Sequence, residues 1–251
     1  MEEIFTSAGI MALLTLTFLE VVLGIDNIIF ISIVTNKLPK EQQPRARMIG
    51  LSLALIFRIA MLLGLTWIMK FDTPLFIIKD FHFLALDITE FGFSGRDAIL
   101  LAGGIFLLAK STSEIYGKVE GKEHEVSVKG KGVSFSSIIV QIVMLDIVFS
   151  FDSILTAIGM TDKVILMIIA VIISIIIMMM FSGAISKFIN AHPSLQILAL
   201  SFLIMIGVML IADAFHNHVP KGYIYAAIVF SLIVEILNMR MRKKTNGTES
   251  H

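Results

Sequence analysis

Seven apolar runs, each near the roughly 20 residues that a helix needs to cross a hydrocarbon core of about 30 Å, dominate this chain. They cover residues 10–34, 48–69, 98–115, 136–158, 164–188, 195–215 and 223–239. Hydrophobic residues make up 57% of the 251 and charged residues 16%, a balance that a soluble domain of this length would not hold in solution. The expected fold class is therefore an all-α membrane protein with seven transmembrane helices. A multi-pass place in a bacterial inner or plasma membrane follows.

Cysteine is absent, which excludes disulfides, thiolate metal sites and thiol redox chemistry. The start, Met1-Glu2-Glu3, is acidic where a secretory signal is basic, so the first helix is read as retained. Net charge is +0, but Lys and Arg are unevenly divided between alternate loops. Lys37, Lys40, Arg45, Arg47, Lys110, Lys118, Lys122, Lys129, Lys131, Lys187 and Arg240 to Lys244 fall on one side. Lys70, Lys79, Arg96, Lys163 and Lys221 fall on the other. The positive-inside rule then places the N-terminus outside and the C-terminus in the cytoplasm.

Two motifs of matched spacing carry acids inside apolar runs. The first is Glu20-Val-Val-Leu-Gly24-Ile-Asp26-Asn27 and the second Asp146-Ile-Val-Phe-Ser150-Phe-Asp152-Ser153. A carboxylate in hydrocarbon costs roughly 2.5–3.5 kcal/mol on insertion scales, so four of them at matched positions point to an ion pathway. Each motif opens a set of three spans, and the polar linker between the sets reverses the entry direction of the second. The expected organisation is a 3+3 inverted repeat with its binding site at the interface of the halves, plus a C-terminal helix. In residues, 1–116 form the first repeat, 117–133 a cytoplasmic linker, 134–218 the second repeat, 219–240 the seventh helix and 241–251 a cytoplasmic tail. Residues 71–95, which mix Phe, Leu and Ile with acids, are expected to form an external interfacial segment. Gly103-Gly104 and Ser182-Gly183-Ala184 offer small surfaces for close helix approach.

On a straight helix Glu20, Gly24 and Asn27 share a face, while Asp26 points about 120° away from Glu20. Gly24 permits a loosened turn that would bring the acids together, and Ser150 can bend its helix by bonding a carbonyl one turn back. Two such bends would gather Glu20, Asp26, Asn27, Asp146, Asp152 and Ser153. An all-oxygen set suits Mg²⁺, Ca²⁺ or Mn²⁺ and lacks the His or Cys typical of Zn²⁺, Ni²⁺ and copper sites. Four acids around one divalent ion leave negative charge over, so proton coupling is expected.

The competing account is that the acids pair with cations to fix packing, yet only Arg58 lies within the spans and cannot neutralise four of them. Arg58 itself is either a structural partner or a gate in the empty site; its own need for a carboxylate favours the former. Lys110 and Glu114 form an i,i+4 pair, either a surface ion pair or a gate. Asp213, His216 and His218 read as solvated helix-end residues or an outer vestibule. Met178, Met179 and Met180 read as lipid-facing or core filler.

These residues, together with Gly103-Gly104-Ile-Phe-Leu-Leu-Ala-Lys110, Glu114, residues 202–212 and Pro220-Lys-Gly-Tyr-Ile-Tyr225, resemble the TerC family of integral membrane proteins, named for tellurium resistance. The resemblance covers most of the chain. It implies a fold related to the LysE transporter superfamily and export of Mn²⁺. It also implies Glu20, Asp26, Asn27, Asp146, Asp152 and Ser153 as ion ligands, with Ser153 where the first copy has Asn27. Expected partners are a divalent metal ion as substrate, the bilayer and other membrane proteins, with no nucleic acid, no permanently bound cofactor and no enzymatic activity. The alternatives are a membrane scaffold in stress resistance, a Ca²⁺/H⁺-exchanger-like transporter, whose Gly-Asn and Pro-Glu motifs are missing, and an aspartyl protease, whose Gly-x-Gly-Asp pattern is missing.

Overall fold

A computed structural model describes residues 6–64, 73–83, 86–120, 133–158, 163–217 and 219–248; side chains at 26, 78–83, 86–91, 152, 155, 156, 221 and 242–248 lie outside the description. Its helices are α1 (Ser7–Thr35), α2 (Gln43–Leu63), α3 (Gly95–Val119), α4 (Phe135–Ile158), α5 (Val164–Asn190), α6 (Pro193–Ala214) and α7 (Lys221–Thr248). Six are long and apolar enough to cross a membrane, and α4 carries a shorter apolar stretch, Phe135–Phe151.

Local chemistry sets the helix starts. The Thr6 hydroxyl accepts from the Gly9 amide at 3.1 Å and caps α1. Proline opens α2 and α6, where its missing N–H costs nothing. Ser94 and Asp97 form a reciprocal capping box at α3: the Ser94 hydroxyl accepts from the Asp97 amide at 3.2 Å, and Asp97 Oδ2 accepts from the Ser94 amide at 2.8 Å.

Two expectations need correction. Residues 71–95 contain an antiparallel hairpin, β1 (Pro74–Phe83) and β2 (Leu86–Ser94), with Phe81 opposite Ile88 and Phe83 opposite Leu86, so the fold is nearly, not wholly, helical. The period of two that strands require appears only in short pieces, Phe81-His-Phe83, Leu86-Asp-Ile-Thr89 and Phe91-Gly-Phe-Ser94, and is broken by Phe76-Ile77-Ile78 and Lys79-Asp80. At the other end, α7 runs to Thr248 rather than stopping at 240, because the basic stretch after Met239 contains no helix breaker before Gly247. The expected linker falls mostly outside the described residues.

Helix α3 packs along α6, α1 along α5, and α2 across both α4 and α5, while α1 also meets α4. The closest approach of α3 and α6 is made by glycine: a Cβ on Gly104 would stand 2.7 Å from the Gly207 carbonyl oxygen, and one on Gly207 would stand 3.0 Å from that of Gly104. Gly183, by contrast, has nothing within 4 Å of its would-be Cβ, so it does not serve as an approach surface among the described residues. Phe30, Leu62, Leu100, Leu107, Ile142, Leu145 and Leu200 fill the core. Phe18, Ile56, Met180 and Phe230 point outward, as side chains facing acyl chains would. Helix α7 packs on α6 at the edge.

Candidate functional site

Three helices each send one charged side chain into the packed interior. Glu20 comes from α1, Asp146 from α4 and Arg58 from α2, and they are 6%, 6% and 3% exposed, which makes any uncompensated charge among them costly. The guanidinium is a planar fork of five donors. Its Nε donates to Asp146 Oδ1 at 3.1 Å and its Nη2 to the same oxygen at 2.7 Å, while Nη1 donates to Glu20 Oε2 at 2.6 Å. Arg58 thus bridges two carboxylates that belong to the two copies of the motif.

The helical period decides which motif residues join this cluster. Glu20, Gly24 and Asn27 are spaced i, i+4, i+7, and so are Asp146, Ser150 and Ser153, which places each trio on one stripe of its helix. Asn27 Nδ2 donates to Asp146 Oδ1 at 3.4 Å, and the Ser150 hydroxyl donates to Asp146 Oδ2 at 3.2 Å. Ser153 donates to the Ser150 carbonyl at 3.2 Å and also interacts with Glu20. The side chains of Asp26 and Asp152 lie outside the described residues.

Helices α1 and α4 run continuously through Gly24 and Ser150. Ser150 turns to the Asp146 carboxylate instead of a carbonyl one turn back. Gly24 provides room for a neighbour, since a Cβ there would stand 2.4 Å from Met178 Sδ of α5. Met178, 3% exposed, is therefore a wall beside the acidic stripe, whereas Met180 is 73% exposed. No local signal in a Met triplet distinguishes the two.

Toward the end where α1 stops and α2 starts, hydrogen bonds tie α1 to α5. Ser32 Oγ donates to Ser186 Oγ at 2.9 Å, and the Asn36 and Asn190 side-chain amides bond each other in both directions. Glu114 of α3 pairs with Lys110 at 2.9 Å, the expected i,i+4 contact, and also with Lys37, which the spacing did not reveal. At the opposite end Asp213 is buried at 4% exposure, not solvated as expected. His216, at φ 59, sets its Nε2 3.2 Å from Asp97 Oδ2 and so links the end of α6 to the start of α3. His218 lies outside the described residues. Among the described residues no group of three or more His, Cys, Asp or Glu side chains is placed to hold a metal.

Comparison with known proteins adds the family. The profile of the "Integral membrane protein TerC family" matches residues 5–249. The chain is 47% identical over 234 residues to the UPF0053 inner membrane protein YgdQ of Escherichia coli K12, covering 93% of this chain and 94% of that protein. It is 46% identical over 232 residues to a UPF0053 protein of Haemophilus influenzae, covering 92% and 94%. UPF0053 inner membrane protein YoaE of Escherichia coli K12 is 47% identical over 232 residues, which are 92% of this chain and 43% of YoaE. This chain thus spans less than half of YoaE. No solved structure gives a significant match.

Proposed function

We propose that this chain, which belongs to the TerC family of integral membrane proteins and is a multi-pass membrane protein, is a secondary transporter of divalent cations, with Mn²⁺ as its substrate. The observation that carries this reading is the buried bridge from Arg58 to Glu20 and Asp146. One guanidinium faces two carboxylates, so the described cluster carries a surplus negative charge in a dehydrated setting. A proton or a cation must offset it, because an unpaired buried carboxylate is costly. A site that needs an extra positive charge, and offers oxygen ligands from Glu20, Asn27, Asp146 and Ser153, suits a hard divalent ion. Asp26 and Asp152 belong to the same proposed ligand set.

Arg58 takes the role of the ion's surrogate. When Mn²⁺ enters, the guanidinium gives up its carboxylates; when Mn²⁺ leaves, it returns, and the acids are never left bare. The contacts between helices support the inverted repeat. Exchanging α1, α2 and α3 for α4, α5 and α6 turns the α1–α5 contact into α4–α2, and leaves α3–α6, α1–α4 and α2–α5 unchanged, all of which occur. Rocking one half against the other would expose the site to each side in turn. Export is the direction that the resemblance implies, and the Lys/Arg distribution supports an N-terminus outside.

The same ion pairs favour a second reading, in which the acids only fasten helices and the protein is a scaffold. A flux assay separates the two. Purified protein in liposomes with an internal pH probe, offered Mn²⁺, Ca²⁺ and Mg²⁺ in turn, is expected to move Mn²⁺ fastest, with protons moving in exchange. A scaffold moves none of the three.

A further inference from the structure

Where α1, α3 and α5 end and α2 and α6 begin, the helices line an open cavity of about 500 Å³, none of whose lining residues belongs to the Arg58 cluster. Its wall holds four cationic side chains, Lys40, Arg47, Lys118 and Lys187, and no Asp or Glu among the described residues that line it. The buried acid at this end, Glu114, is engaged by Lys37 and Lys110 instead.

We infer that this cavity is a binding site for a phosphate-bearing anion. Four cations sharing a concave space repel one another, and a multivalent anion relieves that repulsion while gaining charge-assisted hydrogen bonds. The wall is already oriented for such a guest. Arg47 Nη1 donates to Ser186 Oγ at 3.3 Å, and Lys118 Nζ donates to Gln196 Oε1 at 2.6 Å, which holds these side chains at the cavity edge. Helices α2 and α6 also begin here, and neither has a side-chain cap on its first amides. Their N-terminal dipoles add to the positive potential. The loops at this end are those that the Lys/Arg distribution assigns to the cytoplasm, where basic pockets between membrane helices meet anionic lipid headgroups. A phosphodiester headgroup and inorganic phosphate present the same chemistry to these residues. The inference is independent of cation transport, since none of the lining residues belongs to the Arg58 cluster.

Thermal unfolding of the full chain in neutral detergent tests it, with inorganic phosphate, phosphatidylglycerol or phosphatidylcholine added. The expected result is a saturable rise in midpoint with phosphate, which marks a soluble ligand, or with phosphatidylglycerol alone, which marks a lipid. The rise should be at least tenfold weaker in apparent affinity in the R47Q/K187Q variant and unchanged in R45Q, which removes an exposed charge at the same end outside the cavity. If the double variant does not fold, K40Q/K187Q, whose two lysines are exposed, takes its place. No rise with either anion, an equal rise with phosphatidylcholine, or a rise that survives loss of the cavity cations would overturn the assignment.

Discussion

Asp146→Asn is expected to reduce Mn²⁺ flux in proteoliposomes by roughly 100-fold while leaving the protein folded and inserted. The size follows from losing one charge-assisted ligand contact, about 1.5–3 kcal/mol, where 1.4 kcal/mol is a factor of ten. The preserved fold follows from charge balance. With Asn at 146, the Arg58 guanidinium still has Glu20 at 2.6 Å, and one positive charge then meets one negative charge. The Asn carboxamide keeps an oxygen for Nε or Nη2 and fills the same space. Glu20→Gln should behave alike for the mirrored reason. Flux lost without a fall in thermal midpoint is the signature of an ion site; if the acids only fastened helices, no flux would exist to lose. Flux and unfolding measured on the same preparations decide between them.

Arg58→Met is expected to have the largest effect on stability, about 3–5 kcal/mol, the range for removing one member of a buried ion pair. Two carboxylates then face each other without a counter-ion in a site closed to water. Neutralising one of the two acids relieves that repulsion. Adding Asp146→Asn to Arg58→Met should recover part of the loss, and in a double-mutant cycle the two changes should be strongly non-additive because they share one cluster. Arg58→Lys is not a mild control, since an ammonium is a point charge and cannot span Glu20 and Asp146 as the planar fork does. Unfolding midpoints of Arg58→Met, Asp146→Asn, their double variant and Arg58→Lys check these outcomes.

Much of the architecture could be read from the chain because membrane helices announce themselves by length and apolarity: the described residues hold helices near each expected run, six of them long and apolar enough to cross a membrane. The hairpin escaped because β1 and β2 place Lys79, Asp80, Asp87 and Glu90 among their apolar residues, and a segment of that composition is equally at home at an interface. The capping box at Ser94 and Asp97 was legible in principle, being a Ser followed three residues later by an acid at the head of an apolar run.

At the candidate site the helical period alone assigned Glu20, Gly24 and Asn27 to one stripe. What it could not assign was the partner of Arg58. The Arg58–Asp146 and Asn36–Asn190 contacts join residues 88 and 154 positions apart, and such pairings depend on how helices cross, not on local pattern. The same applies to Met178 against Gly24, where the sequence offers a Met triplet and only the crossing of α1 and α5 selects the first of the three. The structure joins Glu20 and Asp146, one acid from each helix, through the guanidinium of a third.

The most direct measurement is of Mn²⁺ binding itself, by the electron paramagnetic resonance signal of free Mn²⁺ titrated into purified protein. The expected result is a saturable loss of free-ion signal in the native chain, tightened in any folded Arg58→Met preparation because the competing guanidinium is gone, and weakened roughly 100-fold in Asp146→Asn. Binding by Asp146→Asn equal to that of the native chain would contradict the assignment of the Glu20–Asp146 cluster as the cation site.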